Sequence, residues 1–259
     1  MPRLLLEICI DSVESAKAAI DGGADRLEVC SALAVGGLTP SLALLKYIRN
    51  NLINKCDRPI ELYAMIRPRD GDFCYTNEEI EIMQQEIVMM INANLVDGFV
   101  FGLLRVDGTI DRENCSRLMR ATNGMAVTFH RAFDVCCEPF ESLETVIELG
   151  FKRVLTSGQM LNAADAIHLI AELVKRANNR IIIMPGSGIN RNNLHSIAKL
   201  TNAIEFHSSA SIHKHSSMQF MNQVSKTHFN KWKVTETNCV RTLSNILTQN
   251  DHQHTEDDQ

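Results

Sequence analysis

The sequence predicts an α/β protein, a single (β/α)8 TIM-type barrel with a short C-terminal extension. Three observations predict it. Strand-like and helix-like stretches alternate eight times between Leu4 and His207, the pattern of a parallel sheet with crossover helices, most simply closed into a barrel. The chain of 259 residues matches the roughly 250 residues such a barrel needs. Several strands also carry polar residues at alternate positions towards their C-terminal ends, where a barrel presents its chemistry. A doubly wound open sheet is the alternative, but it requires no regular eightfold count.

Residues 4–10 read as a buried strand, and Asp11 with Glu14 three positions on supplies a helix start. Gly22 and Gly23 stop that helix, and residues 26–30 form the second strand. After the Gly36, Gly37 loop, a capping Thr39 precedes Pro40 at a first helical position. Strand 60–67 leads to a long helix opened by a Thr76/Glu79 capping box and running to about Asn92. Strand 97–102 is followed by helix 111–122. The stretch 127–134 holds the fifth strand, which turns its Val127 and Phe129 one way and Thr128 and His130 the other. Helix 138–150, strand 152–157, helix 162–178, strand 181–186, helix 190–200 and strand 203–207 complete the count. The barrel is thus assigned to residues 1–210. Residues 211–248, with a short β-like piece and an apolar helical run, form an extension packing on the barrel or on a partner chain. Residues 249–259 are polar and acidic, the composition of a disordered tail.

Composition excludes some classes of function. A formal net charge of −5 lacks the basic footprint of a nucleic-acid or anionic-membrane partner. No apolar run approaches the roughly 18 residues of a membrane span. Glu7 comes too early for a signal-peptide core, which places the protein in the cytosol. The eight cysteines then read as reduced thiols, not as a disulfide framework.

Sorting the strands by parity brings a polar lumen into view. With the bulky apolar residues facing the helices, Glu7 and Cys9, Glu28 and Cys30, Met65 and Arg67, Thr128 and His130, and Glu205 and His207 face inward. Five of eight strands therefore place a titratable group in one cavity. Buried carboxylates are expensive unless paired, and Arg67 with His130 are the expected partners. A structural ion-pair plug is the bland reading and a functional pocket the sharper one. As an enzyme, the protein would clamp a small anion with Arg67 and Arg69. His130 with Glu7, Glu28 or Glu205 would act as acid and base, with Asp134 at the strand end. Thr156, Ser157 and Gly158 after strand six, and Gly186, Ser187 and Gly188 after strand seven, offer backbone N–H groups and a helix N-terminus for a phosphate or carboxylate, beside His207. The inward set Cys9, Cys30, Met65, Met184, His130 and His207 supplies the soft donors that Cu(I) selects, although a lone cysteine is more often a core filler.

Several words of the sequence are long enough to be specific. Leu27-Glu28-Val29-Cys30, Gly36-Gly37-Leu38-Thr39-Pro40-Ser41, Met65-Ile66-Arg67-Pro68-Arg69 with Gly71-Asp72-Phe73, the run from Thr128 to Asp134, Leu155-Thr156-Ser157-Gly158 and Glu205-Phe206-His207 stand in the order of the CutC copper homeostasis family. The chain resembles that family over residues 4–210, and Lys233-Val234-Thr235 with Val240-Arg241-Thr242-Leu243 look like the tail of its animal members. The resemblance implies a TIM-type barrel, a cytoplasmic and also nuclear location, a homotetramer, and copper as the metal. It further implies Cu(I) binding by Cys9 and Cys30, which fall in the matching strands. Two functions stand side by side: a copper homeostasis protein binding Cu(I) through barrel cysteines, and an enzyme doing acid/base chemistry on a small anionic, for instance phosphorylated, metabolite.

Overall fold

The computed structural model describes residues 3–222 and 230–256, with side chains through Gln249. The elements run β1 (Leu5–Ile10), α1 (Val13–Gly22), β2 (Arg26–Val29), α2 (Leu42–Asn51), β3 (Glu61–Met65), α3 (Asn77–Asn92), β4 (Gly98–Phe101), α4 (Arg112–Ala121), β5 (Ala126–Phe129), α5 (Pro139–Glu148), β6 (Arg153–Thr156), α6 (Ile167–Ala177), β7 (Ile182–Pro185), α7 (Leu194–Thr201) and β8 (Glu205–Ser208). A hairpin, β9 (Ser211–His215) and β10 (Lys231–Thr235), and a last helix, α8 (Thr237–Glu256), follow.

The eight barrel strands are parallel and lie in the order β7-β6-β5-β4-β3-β2-β1-β8. β8 pairs with β1, setting Glu7 opposite His207, and β1 pairs with β2, setting Glu7 opposite Arg26 and Cys9 opposite Glu28. β7 and β8 are neighbours without a hydrogen-bonded ladder between them, so the barrel is nearly closed, with one seam. Ser208 Oγ donates to the Ile189 carbonyl at 2.8 Å across that seam.

Outward strand residues form the shell between sheet and helices: Leu6, Ile8, Ile10, Leu27, Val29, Phe99, Phe101, Phe129 and Phe206 are all but inaccessible. Each such side chain contributes about 1.5–3 kcal/mol by leaving water. Residues that do not face the shell face the lumen, and this alternation is what delivers polar groups inside.

Local starts differ from the sequence reading in four places. Ser12, not Asp11, caps α1, its hydroxyl accepting from Ser15 N at 3.1 Å. Ser41, not Thr39, caps α2, because Thr39 is held at the barrel by Arg67 and Glu86. A 3-10 turn at Ala163–Ala166 precedes α6. The helix expected from residue 190 starts only at Leu194. There, Asn193 Oδ1 accepts from Asn190 N at 2.8 Å, and the side-chain amides of both asparagines donate to the Gly188 carbonyl at 2.9 Å. Such side-chain bonds offer the backbone an alternative to helix.

β9 and β10 pair antiparallel, Ser211 opposite Thr235. α8 packs against α1 and buries Val240, Leu243 and Leu247. A Cβ on Gly22 would collide with Val240, so the missing side chain is what lets the helices meet. Of residues 250–256 only the backbone path is described, and the end of the expected tail, 257–259, lies outside the described residues, as do 223–229. No described helix is long and apolar enough to cross a membrane.

Candidate functional site

The lumen divides into a floor at the N-terminal strand ends and a mouth at the C-terminal ends. On the floor, Glu205 at the start of β8 accepts from both Nη atoms of Arg26 at 2.6 and 2.5 Å and from Arg153 Nε at 2.9 Å. Both guanidinium groups also lie against the Tyr63 ring, 5.0 and 5.1 Å from its centre. Gly98 makes room for Tyr63, since a Cβ there would come within 2.5 Å of its ring.

Two sequence expectations are corrected here. Glu205 is not at the mouth, and Arg67 and His130 are not the partners of the buried acids. Arg26 and Arg153 are. Both carry the inward parity that marks Glu28, so the signal was present at the strand starts.

Glu7 links floor to mouth. Its Oε2 lies 3.3 Å from Arg26 Nε and its Oε1 lies 2.7 Å from His207 Nδ1. Burial opposes ionisation of Glu7, but Arg26, the His207 hydrogen bond and Arg153 together hold its pKa below the ordinary carboxylate value. The bond at Nδ1 turns His207 Nε2 towards Glu28, 3.8 Å from its Oε2. Burial disfavours charge on His207 too, yet Cys9, Glu28 and Glu7 around the ring push its pKa well above the usual imidazole value. Burial, with the Glu7 charge, lifts Glu28 to about 7 against the opposing pull of His207.

Cys9, Glu28 and His207 each bring a ligand atom within 4.8 Å of the others. Cys30 is not one of the three. Its thiol donates to Glu28 Oε2 at 3.7 Å, and burial and the neighbouring carboxylate push its pKa well above the ordinary thiol value. A thiol and an imidazole suit copper, and a histidine whose other nitrogen is held by a carboxylate is the usual form of a metal-binding histidine. The donor set therefore fits one copper ion, with Cys9, His207 and Glu28 as the groups to hold it.

Above this trio opens a cavity of about 370 Å³ whose walls include Leu33, Met65, Arg67, Phe73, His130 and Leu155. Arg67 donates to the carbonyls of Val35, Gly37 and Gly71 at 2.8, 3.1 and 2.9 Å, fastening two loops over the mouth. His130 Nδ1 accepts from Ala132 N at 3.2 Å, and burial with the nearby charge of Arg67 depresses its pKa to about 3.

Arg69 does not face this cavity. It is tied to Glu79 at 2.5 Å and Asp72 at 3.0 Å on the outer side of its loop. Asp134 borders the cavity but acts as a strut, accepting from Thr156 Oγ1 at 2.6 Å and Ser157 N at 2.8 Å while paired with Arg131 at 2.7 Å. It thus fills the anion-binding turn expected at Thr156, Ser157 and Gly158, and the Gly158 amide donates to Thr156 Oγ1 at 2.8 Å. Of the second expected turn, Ser187 reaches the cavity wall, its hydroxyl donating to the Leu161 carbonyl at 2.7 Å. A Cβ on Gly186 would meet Leu155, and one on Gly188 would collide with Asn162, so both glycines answer to packing.

Comparison with known proteins decides the family. The CutC family model matches residues 4–212. This chain belongs to the CutC family. The human copper homeostasis protein cutC homolog is 44% identical over 249 residues, covering 93% of this chain and 88% of its own length. CutC of Vibrio cholerae is 48% identical over 223 residues, covering 85% of each. The crystal structure of CutC from Streptococcus agalactiae aligns with a TM-score of 0.74 at 33% identity, covering 80% of this chain and 98% of that one. Phosphoribosylanthranilate isomerase of Thermotoga maritima, at 11% identity and a TM-score of 0.56 over 95% of this chain and 99% of that one, shares the fold alone.

Proposed function

We propose that this CutC protein serves copper homeostasis by holding one copper ion at the barrel mouth, with Cys9, His207 and Glu28 as ligands and Glu7 as the group that aims His207. The convergence of those three side chains carries the reading. It shifts the expected Cys9–Cys30 pair towards a mixed site, in which Cys30 is a protonated neighbour of Glu28. Copper taken up here displaces the proton from His207, so uptake weakens as pH falls.

Anaerobic Cu(I) titration against a competing chelator tests it. Cys9→Ser and His207→Ala are each expected to abolish stoichiometric uptake, Glu7→Gln to weaken it about 10–100-fold, and Cys30→Ser to change it little. Uptake undiminished in the first two variants overturns the site. Loss confined to Cys30→Ser moves it to the other cysteine.

The same reading carries a cytoplasmic homotetramer, in line with the exposed Val106, Leu161 and Phe220. Light scattering of the purified protein checks the subunit count, and fluorescence microscopy of the tagged chain checks the location. Glu28, lifted to about 7 with Oε1 lacking a hydrogen-bond partner, favours a second reading: acid/base catalysis on a small anionic metabolite. A metabolite turned over by the wild type and not by Glu28→Gln would establish it.

A further inference from the structure

Among the described residues, five buried side-chain atoms have no hydrogen-bond partner, and three of them, Glu28 Oε1, Arg67 Nε and His130 Nε2, belong to residues lining the one cavity at the barrel mouth. Buried polar groups are otherwise almost always paired, so their concentration around one space is informative. His130 shows what kind of group is unpaired. Its Nδ1 accepts a backbone N–H, so that nitrogen carries no hydrogen and the proton of the neutral ring sits on Nε2. Nε2 is therefore a donor, not a base.

Arg67 offers a second donor of the same sense. Three backbone carbonyls occupy its Nη atoms, while Nε–H is bare. Phe73 joins the two, its ring 4.8 Å from the His130 ring and 5.0 Å from the Arg67 guanidinium carbon. Both side chains are at least nine-tenths buried, at 3% and 4% exposure. The buried Tyr75 hydroxyl lies against the same guanidinium.

We propose that Arg67 and His130 form a receptor for a small oxygen-bearing organic anion, a hydroxy- or oxo-carboxylate, bound beneath Phe73 in the barrel mouth. The carboxylate accepts from Arg67 and His130, and the hydroxyl or carbonyl end points down the cavity towards Glu28. Apolar walls at Leu33, Met65 and Leu155 take the carbon skeleton. A volume of about 370 Å³ is at the small end for ligand pockets and suits a molecule of about three to six carbons. The two groups that hold the carboxylate, Arg67 and His130, are not copper ligands, and the proposal requires neither copper uptake nor turnover.

The test uses copper-free full-length protein under reducing conditions. Pyruvate, lactate and malonate are the probes, with inorganic phosphate and glycerol for comparison, read by calorimetry and by ¹⁵N imidazole NMR. At least one carboxylate is expected to bind saturably and to move the His130 Nε2–H signal, and His130→Gln and Arg67→Lys each to weaken it by about tenfold. If either variant fails to fold, movement of the wild-type Nε2–H signal decides. No saturable binding of any carboxylate, binding that survives both substitutions undiminished, or binding of phosphate or glycerol alone overturns the proposal.

Discussion

At the floor of the barrel, Arg26 and Arg153 share one Glu205 oxygen at 2.5–2.9 Å, with both cations against the Tyr63 ring. At the mouth, Glu28, Arg67 and His130 are as deeply buried, yet each has a polar atom that nothing answers. Both ends use the same kinds of side chain. In a low-dielectric interior a paired ion cluster completes itself, whereas an unpaired one is stabilised by whatever enters to complete it. Burial of charge alone thus does not mark a site in this barrel. On the proposed reading incomplete pairing does, and Glu7 Oε2, between the two ends, shares it.

Substitutions at the two ends should separate sharply. Glu205→Gln leaves two buried guanidinium groups without their shared carboxylate and should destabilise the fold by about 3–5 kcal/mol. Glu28→Gln, at a position where burial already disfavours the charge, should cost less than about 1 kcal/mol. Denaturant unfolding measures both, and equal losses would erase the distinction. Gly98→Ala drives a methyl into the Tyr63 ring and the Ala126 carbonyl, so a loss of about 1–3 kcal/mol is expected from the floor alone.

pH sharpens the contrast more gently. His130 is held at about 3 against an ordinary 6.5. The unfolded chain therefore takes up a proton near 6.5 that the folded chain refuses until about 3. Stability falls as pH drops through that window, by up to about 1.4 kcal/mol per pH unit. Glu28 acts in the opposite sense: the unfolded chain ionises near 4.5 and the folded chain only near 7, so its contribution is lost as pH rises between those values. Stability profiles of His130→Gln and Glu28→Gln should each lack one of these slopes, and unchanged profiles would contradict the assignments.

The barrel and its inward residues were legible because parity is local: whichever face packs under helices is apolar, and the other face is what remains. Depth was not legible. Glu205 and His207 are two residues apart on β8, yet the first lies level with Leu5 and joins the floor while the second lies level with Glu7 and joins the mouth. That difference is one two-residue step along the strand, about 6.6 Å. Which step meets the arginines depends on where the neighbouring strands place them, which no single strand encodes. Arg67 and Arg69 part for another reason. Regular strand ends at Met65, and beyond it alternation no longer dictates direction, so Arg69 turns out to Glu79. The helix expected at residue 190 yields to two asparagine side chains that hold the Gly188 carbonyl, a competition that composition does not reveal. Cys9 and Cys30 share a parity and both stand beside Glu28, but His207 groups with Cys9 and Glu28 and not with Cys30.

Glu7 has one oxygen turned to Arg26 and the other to His207, and this makes it a shared axle between two gears. In the proposed copper site, an ion held by the histidine would act through Glu7 on the arginine as well. If copper binds there as proposed, heat tolerance should rise with copper load, because the ion binds the folded form alone.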